Sequence, residues 1–377
     1  MEATGGENQL DVRAKALELA RGVSPTAANI SRIAKQTSAD AAAWAFSQWN
    51  LRKRAKARGF EKADQMLFSK EALEQATHPE IAKFHASRFP EGVLVADLTT
   101  GLGSDLVALA ARGRAIGYDT NDSCGMFSLA HLIASGLEAN ATVSVGDSMS
   151  EGWKFEYAFA DPSRRVDGRR TLNPDDFSPN PTQLAERMSA LRLGLIKLSP
   201  ILGDEFLDSL GTRVEFVSYG GECREALVFC GSQVVPGRFA VLVEEKAYLP
   251  AAPPMLGSEE ASTFIYEADP AAIRAHALGS IDNRLLSLGD SNGYLTSDSE
   301  LRSPWLTAYR VLQSGKFDLR SVKSRLTDAG RVVVKSRAPN VDVIRVSKAL
   351  SGKGKKGAIL ALYPVGKSVR FARLERI

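Results

Sequence analysis

Val93-Leu94-Val95-Ala96-Asp97-Leu98-Thr99-Thr100-Gly101-Leu102-Gly103 decides how this chain of 377 residues is read. A short apolar run ends in a carboxylate. A turn carrying two glycines then leads into Ser104-Asp105-Leu106-Val107-Ala108-Leu109-Ala110-Ala111-Arg112. The run has the length and composition of a buried strand. The segment after the turn has helical spacing, with Ser104 or Asp105 at its start and Gly113 just past its end. Strand, glycine turn and helix N-terminus together put free backbone N–H groups and bare backbone at one edge of a parallel sheet. Nucleotide-like ligands bind there in doubly wound folds.

Two cofactors compete for such a turn. A dinucleotide site prefers a third glycine at the spacing G-x-G-x-x-G, and Leu106 stands at that place. Asp97, four positions before Gly101, would repel a pyrophosphate. A ligand with an amino group and no phosphates suits it better, and S-adenosylmethionine is such a ligand. The bland alternative is a tight strand-to-helix connection that binds nothing.

Further strands end in the same way. Arg114–Asp119 reads as a second strand, Ala141–Val145 with Gly146-Asp147 as a third, and Phe155–Ala160 running into Asp161 as a fourth. The carboxy ends of parallel strands lie along one rim, so Asp97, Asp119, Asp147 and Asp161 are expected to face one crevice. Asp119 lies 16 residues past Gly103, near the usual separation for an acid that accepts from ribose hydroxyls. Strand-ending aspartates also serve as turn formers and helix caps, the alternative for each taken singly.

On Asp97-Leu98-Thr99-Thr100-Gly101-Leu102-Gly103, Asp119, Gly146-Asp147 and Asp161-Pro162, the chain resembles the class I S-adenosylmethionine-dependent methyltransferases. The resemblance implies a Rossmann-like α/β core of seven strands and S-adenosylmethionine as cofactor. It implies that Asp97, Thr99, Gly101, Gly103 and Asp105 hold the methionine part, Asp119 the ribose and Asp147 the adenine amino group, with Asp161-Pro162 beside the transferred methyl. More narrowly, the chain is similar to a bacterial family in which such a core is followed by a small α+β, ferredoxin-like domain of THUMP-like type. Phe68-Ser69-Lys70-Glu71, Asp161-Pro162-Ser163-Arg164-Arg165, Gly221-Glu222-Cys223-Arg224-Glu225-Ala226 and Tyr266–Arg274 carry that likeness, with Gly293–Asp298 and Ser303-Pro304-Trp305.

At this length two or three domains are expected. The divisions read from the sequence are a helical N-terminal region over 1–90, a methyltransferase domain over 91–235, a linker and accessory α+β segment over 236–300, and a basic domain over 301–377. Hydrophobic residues make up 44% and charged residues 24%, as in soluble globular proteins. No stretch approaches the roughly 18–20 apolar residues that cross a bilayer. Met1–Glu7 lacks the basic start and apolar core of a signal peptide, and a cytoplasmic location is expected. Cys124, Cys223 and Cys230, with His78, His85, His131 and His276, form no metal-ligand or disulfide spacing, so no metal is expected.

Charge is divided along the chain. Residues 301–377 hold 18 Lys and Arg against 4 Asp and Glu, whereas the remainder holds 30 basic and 40 acidic residues. A basic module attached to an acidic one suits attraction to a phosphate backbone; its alternative is a solvated Lys/Arg-rich face. Leu301–Gln313 and Leu319–Ala329 are read as helices, Arg331–Lys335 as a strand, Asp342–Leu350 as a helix, and Ala358–Tyr363 with Ser368–Leu374 as a final hairpin. Ser351-Gly352-Lys353-Gly354-Lys355-Lys356-Gly357, between helix and hairpin, can follow a phosphate backbone with little steric hindrance. Lys353, Lys355 and Lys356, with Lys335 and Arg337, are the candidate nucleic-acid contacts.

Elsewhere, residues 8–75 are read as helical, with Trp44, Phe46 and Trp49 packing a core and Arg52–Arg58 a solvated face rather than a polyanion site. His78-Pro79-Glu80 opens the next helix. Leu193–Leu198 is read as a fifth strand, Arg213–Tyr219 and Glu225–Cys230 as a closing antiparallel pair, Phe239–Glu244 as a further strand, and Leu249–Pro254 as a proline-rich linker. Methyl transfer from a sulfonium makes positioning of the acceptor the main catalytic device. Asp161 and Pro162 occupy the place of the D/N-P-P-aromatic run of amine-methylating relatives, but Ser163 and Arg164 replace the second proline and the aromatic that would stack a flipped base. Arg164 and Arg165 could clamp a phosphate or stack on a base, or pair with neighbouring acids. Cys223 offers a rival as a nucleophile adding to a pyrimidine; a packed cysteine is its plainer reading. His131 reads as a core histidine. The function expected is methylation of a nucleobase in RNA, rRNA or tRNA. The alternatives are a small-molecule or protein methyltransferase, and a non-catalytic RNA-binding protein that keeps the cofactor fold.

Overall fold

Alanine and long straight-chain residues dominate the first 75 positions and favour helix. The computed structural model, which describes residues 4–150, 152–166 and 168–377, has four helices there: α1 (Thr4–Leu19), α2 (Ala27–Ala34), α3 (Ala39–Ala57) and α4 (Lys70–Gln75). The first three residues of the stretch read for a leader lie outside the described residues. Thr26 and Ser38 cap α2 and α3 by accepting backbone N–H bonds from Asn29 and Ala41. Phe46 packs with Ala16, Ala20, Ile33 and Ala42, and Trp44 and Trp49 lie against them. The Trp49 indole also donates to Leu17 O at 2.8 Å. The aromatic trio is core.

The basic end of α3 corrects the expectation of a solvated face. Arg52 is buried and donates through Nε to Met66 O at 2.9 Å, and Arg58 donates to the carbonyls of Leu73 and Ala76. These two arginines tie α3 to the segment that follows it, while Lys53, Arg54 and Lys56 stay exposed. α5 (Pro79–Ser87) opens as predicted, with His78 Nδ1 accepting from Glu80 N–H at 3.2 Å.

The chain forms two units, residues up to Lys197 with Cys230–Val234, and Leu198–Phe229 with Val235–Ile377. In the first, strands and helices alternate: β1 (Leu94–Asp97), α6 (Ser104–Ala110), β2 (Arg114–Asp119), α7 (Asp122–Ser135), β3 (Ala141–Val145) and β4 (Tyr157–Ala160). A two-residue ribbon of β5 (Arg165–Val166) and β6 (Arg169–Arg170) follows, then α8 (Pro181–Met188) and β7 (Leu193–Leu198). β7, β4, β1, β2 and β3 lie side by side in that order, all parallel. Parallel pairing requires crossovers long enough for helices, and the alternation supplies most of them. The four strands before the ribbon fall where the sequence placed them, and their carboxy ends share one rim.

The second unit opens with α9 (Asp204–Leu210) and the antiparallel pair β8 (Arg213–Tyr219) and β9 (Glu222–Cys230). β10 (Gly237–Leu242) runs parallel to β8, and β11 (Ala247–Pro250) pairs back on β10. Leu249, the expected start of a linker, is therefore a buried strand residue. Beyond it come β12 (Gly257–Ser258), β13 (Phe264–Ala268), α10 (Pro270–Arg274), β14 (Leu286–Leu288), β15 (Tyr294–Ser297), β16 (Leu306–Lys316), α11 (Leu319–Ser324), β17 (Ala329–Ser336), α12 (Val343–Leu350), β18 (Lys356–Val365) and β19 (Ser368–Arg376).

These eight strands form one sheet in the order β12-β14-β15-β13-β16-β19-β18-β17. The helix expected over Leu301–Gln313 is instead β16, which pairs with β13 and β19. Thr307, Tyr309 and Val311 favour strand, and Tyr309 is buried where its neighbour Arg310 is exposed, a period of two rather than 3.6. Because β13 pairs with β16, the division read at residue 300 falls inside a sheet.

The glycine-lysine loop before β18 is held by its own backbone. Gly352 N–H donates to Gly330 O at 2.9 Å and Gly354 N–H to Ala329 O at 3.3 Å. A Cβ on Gly354 would stand 2.1 Å from Asp328 O, and one on Gly330 2.1 Å from Gly354 O. Close packing of two backbone stretches explains these glycines. Gly354→Ala should destabilise the protein by about 1–3 kcal/mol in urea unfolding, whereas a freely solvated loop would change by less than about 0.5 kcal/mol.

Candidate active site

The glycine turn is shaped by contact with α7. Gly101 and Gly103 have φ of 54° and 89°, and a Cβ on Gly103 would lie 2.9 Å from Ser128 Cα. Only glycine meets both demands. Ser128 Oγ donates to Gly101 O at 3.2 Å, tying α7 to the turn. Asp119, at the end of β2, accepts Gly101 N–H on Oδ2 and Asn121 N–H on Oδ1, each at 2.8 Å. The turn after β1 is thereby sewn to the end of β2.

Asp97 sits behind this turn, 1% exposed. Its Oδ1 accepts Thr99 N–H at 3.2 Å, while Oδ2 is buried with no hydrogen-bond partner among the described residues. Burial drives its carboxyl well above the usual range. Asp105, Asp161 and Asp119 push the same way, and the Thr99 N–H only partly opposes them. Two of the other strand-ending acids, Asp119 and Asp161, therefore act on Asp97. Asp147 is exposed, one strand further out, and its Oδ1 accepts Met149 N–H at 2.9 Å in a turn.

Asp161 is fixed from two sides. Its N–H donates to Thr99 Oγ1 at 2.6 Å, and its Oδ2 accepts from Lys197 Nζ at 2.5 Å. Lys197 Nζ also donates to Thr77 Oγ1 at 3.2 Å. Asp105, expected among the cofactor ligands, instead pairs through Oδ1 with His85 Nδ1 at 2.7 Å, both groups buried. Burial raises the Asp105 carboxyl, but the charge and hydrogen bond of His85 outweigh it, with help from Lys197 and Thr77, and hold it below the usual range. The His85 ring stacks on Phe159 of β4, centroids 4.9 Å apart.

Pro162 is buried, and Arg164 is partly buried beside it. Burial lowers the Arg164 pKa, and the charge of Asp161 opposes that shift. Arg165 donates to Gly168 O at 3.0 Å across the ribbon turn. The Cys223 thiol is pushed up to about 12 by burial, then by Asp269 and Glu225, as suits a packed cysteine. His131 is lowered to about 4 by burial, with Nε2 2.8 Å from Leu67 O, as a core histidine should be.

Among the basic candidates near the C-terminus, Lys335 pairs with Glu267 at 2.5 Å. Arg337 is exposed and lies 5.6 Å from the centroid of the Tyr294 ring. Lys353, Lys355 and Lys356 are exposed, with Lys356 4.0 Å from Asp328. Among the described residues no group of three or more His, Cys, Asp or Glu could hold a metal, and no helix is long and apolar enough to cross a membrane.

Sequence reasoning missed Lys197, Thr77 and His85 as site residues. The signal for Lys197 was present: a lysine inside the apolar strand Leu193–Leu198 is rarely buried without a partner.

No protein-family profile matches the chain. Two curated relatives, uncharacterised S-adenosylmethionine-dependent methyltransferases of Mycobacterium tuberculosis strains H37Rv and CDC 1551, are each 28% identical over 342 residues, 87% of this chain and 94% of theirs. The crystal structure of a candidate methyltransferase from Porphyromonas gingivalis W83 superposes with a TM-score of 0.77 over 98% of both chains, at 19% identity. That likeness establishes the fold, an α/β architecture with mixed sheets. Over most of its length the chain is similar to proteins named as S-adenosylmethionine-dependent methyltransferases.

Two opposite pH effects follow from the acids. A raised carboxyl keeps its proton in the folded state, so its contribution to stability is present at low pH and lost as pH rises. Asp97→Asn should therefore match the parent near pH 4 and exceed it by about 1–3 kcal/mol near pH 8. Asp105→Asn should lose about 3 kcal/mol near neutrality, the deficit shrinking as pH falls through the folded-state pKa of Asp105. Urea unfolding at several pH values separates the two.

Proposed function

We propose that this chain is an S-adenosylmethionine-dependent methyltransferase that modifies a nucleobase in RNA, rRNA or tRNA. The observation that carries the reading is the buried, unpartnered Asp97 Oδ2 behind a glycine turn that leaves backbone bare. Such an oxygen fits a cationic N–H donor and would repel a phosphate. Asp97, Thr99, Gly101 and Gly103 would hold the amino-acid end of the cofactor, Asp119 the ribose and Asp147 the base edge. Asp119 already accepts two backbone N–H bonds, so it would add the ribose to an oriented carboxylate. Bound there, S-adenosylmethionine supplies an electrophilic methyl on sulfur.

The chain's own residues then position the acceptor. Asp161, held by Thr99 and Lys197, accepts a hydrogen bond from the group that is methylated, and Pro162 stiffens the turn that carries it. Arg164 and Arg165 take a substrate phosphate or stack on a base. In this reading the parallel strands β1–β4 and β7 belong to the class I methyltransferase core. The basic residues beyond 300 serve as a THUMP-like handle, with Lys353, Lys355 and Lys356 as its exposed cations. The excess of 18 basic over 4 acidic residues in 301–377 supports RNA over a small-molecule acceptor.

Mass spectrometry of nucleosides in RNA from a deletion strain and its parent should show one methylated nucleoside lost. Asp161→Ala should fail to restore it while still binding S-adenosylhomocysteine in calorimetry, and Asp97→Asn should lose that binding. An unchanged nucleoside profile would remove RNA from the proposal. Replacing Lys353, Lys355 and Lys356 by Ala should lower the log–log salt slope of RNA binding by about 2–3.

A further inference from the structure

We propose that Lys197 is a positioning residue for methyl transfer: it fixes the Asp161 carboxylate at the rim and supplies a cation within the acid cluster. The inference rests on the role given to Asp161 above. The β4–β7 ladder ends with Ala160 opposite Ile196, so Asp161, the first residue past β4, stands beside Lys197 of β7. Ile196 and Leu198 are buried, and the Lys197 side chain is only 16% exposed. An ammonium in that setting is costly unless paired.

Its pairing is more than local. Lys197 reaches Asp161 on one side and Thr77 on the other. Thr77 also hydrogen-bonds Asp105, whose carboxylate is paired with His85. A continuous run from His85 through Asp105, Thr77 and Lys197 to Asp161 joins α5 and α6 to the end of β4. Lys197 is the cation in this run that needs no protonated histidine, and it acts electrostatically on Asp105 as well as on Asp161.

During transfer the acceptor's electron pair forms a bond to the methyl carbon, and the carbon–sulfur pair departs with sulfur. The proton lost by the acceptor passes to the Asp161 carboxylate. That acceptance requires an ionised carboxylate held within hydrogen-bond reach, and Lys197 favours both conditions. A purely structural ion pair would predict something else. Its loss would weaken folding, cofactor binding and transfer together.

The test compares the full-length parent with Lys197→Met, Lys197→Arg and Thr77→Val. Calorimetry with S-adenosylhomocysteine gives cofactor affinity, and single-turnover transfer of labelled methyl to RNA from the deletion strain gives the rate across pH. Lys197→Met should keep cofactor affinity within about threefold yet lose about 100-fold in rate. The acid limb of its pH profile should move to higher pH, because the carboxylate has lost its cation. Lys197→Arg should recover about tenfold of that loss, and Thr77→Val should lose about fivefold while binding cofactor as the parent does.

A Lys197→Met enzyme that transfers within about threefold of the parent overturns the inference while leaving the proposed function standing. So does a parallel loss of affinity and rate in all three variants. A parent that binds no S-adenosylhomocysteine, or methylates no RNA, instead overturns the functional reading and this inference with it.

Discussion

Bringing carboxylates together at the end of a parallel sheet is unfavourable, and much of this site is arranged around that cost. Asp97 is buried with one oxygen unanswered, and Asp105, Asp161 and Asp119 all raise its pKa. Left alone, such a cluster would protonate or open to water. It is held by two side chains from outside the glycine motif, His85 on Asp105 and the Lys197 ammonium on Asp161. Asp105 and Asp161 are thus matched by those side chains, Asp119 is met by two backbone N–H groups, and Asp97 Oδ2 is met by neither. The unmatched one stands behind the bare turn.

Sheet geometry explains why these groups meet. Parallel strands end on one rim, and β1 lies between β4 and β2, so Asp97 is flanked by Asp161 on one side and Asp119 on the other. The turn is then drawn close by small residues. Gly103 admits Ser128 of α7, and Gly117 admits Thr100, whose Oγ1 would stand 2.7 Å from a Cβ at that position. Those close approaches let Gly101 N–H reach Asp119. Bulkier residues would push the turn off the rim and part the acids.

How much of this was legible depended on the range of each interaction. Strand β1, the turn, and the aspartates ending β1 and β2 and following β3 and β4 could be read because each is a local pattern: an apolar run, a breaker, an acid. The partners could not. Lys197 meets Asp161 across 36 residues and His85 meets Asp105 across 20, and no periodicity encodes such pairs. The same holds for Lys335: a count of basic residues sees a cation, but not Glu267, 68 residues away in sequence, that pairs with it. Strand β16 was misread because Trp305, Ala308, Tyr309 and Leu312 recur at helical spacing; pairing with β13 and β19 decided it. The glycines of the 351–357 loop marked a real constraint, but the constraint is backbone packing.

A glycine turn opening a helix ordinarily favours anions, through free N–H groups and the positive end of the helix dipole. Here that preference is largely consumed within the chain. Asp105 stands in the first turn of α6 and is itself matched by His85, and the Gly101 N–H is already given to Asp119. What the turn retains for a ligand is an acceptor, Asp97 Oδ2, in a setting where acids outnumber cations. Two sites built on the same strand–turn–helix shape can therefore select opposite charges. In the proposed reading the shape admits a nucleotide-like ligand, and the carboxylate behind the turn favours a positively charged end of it.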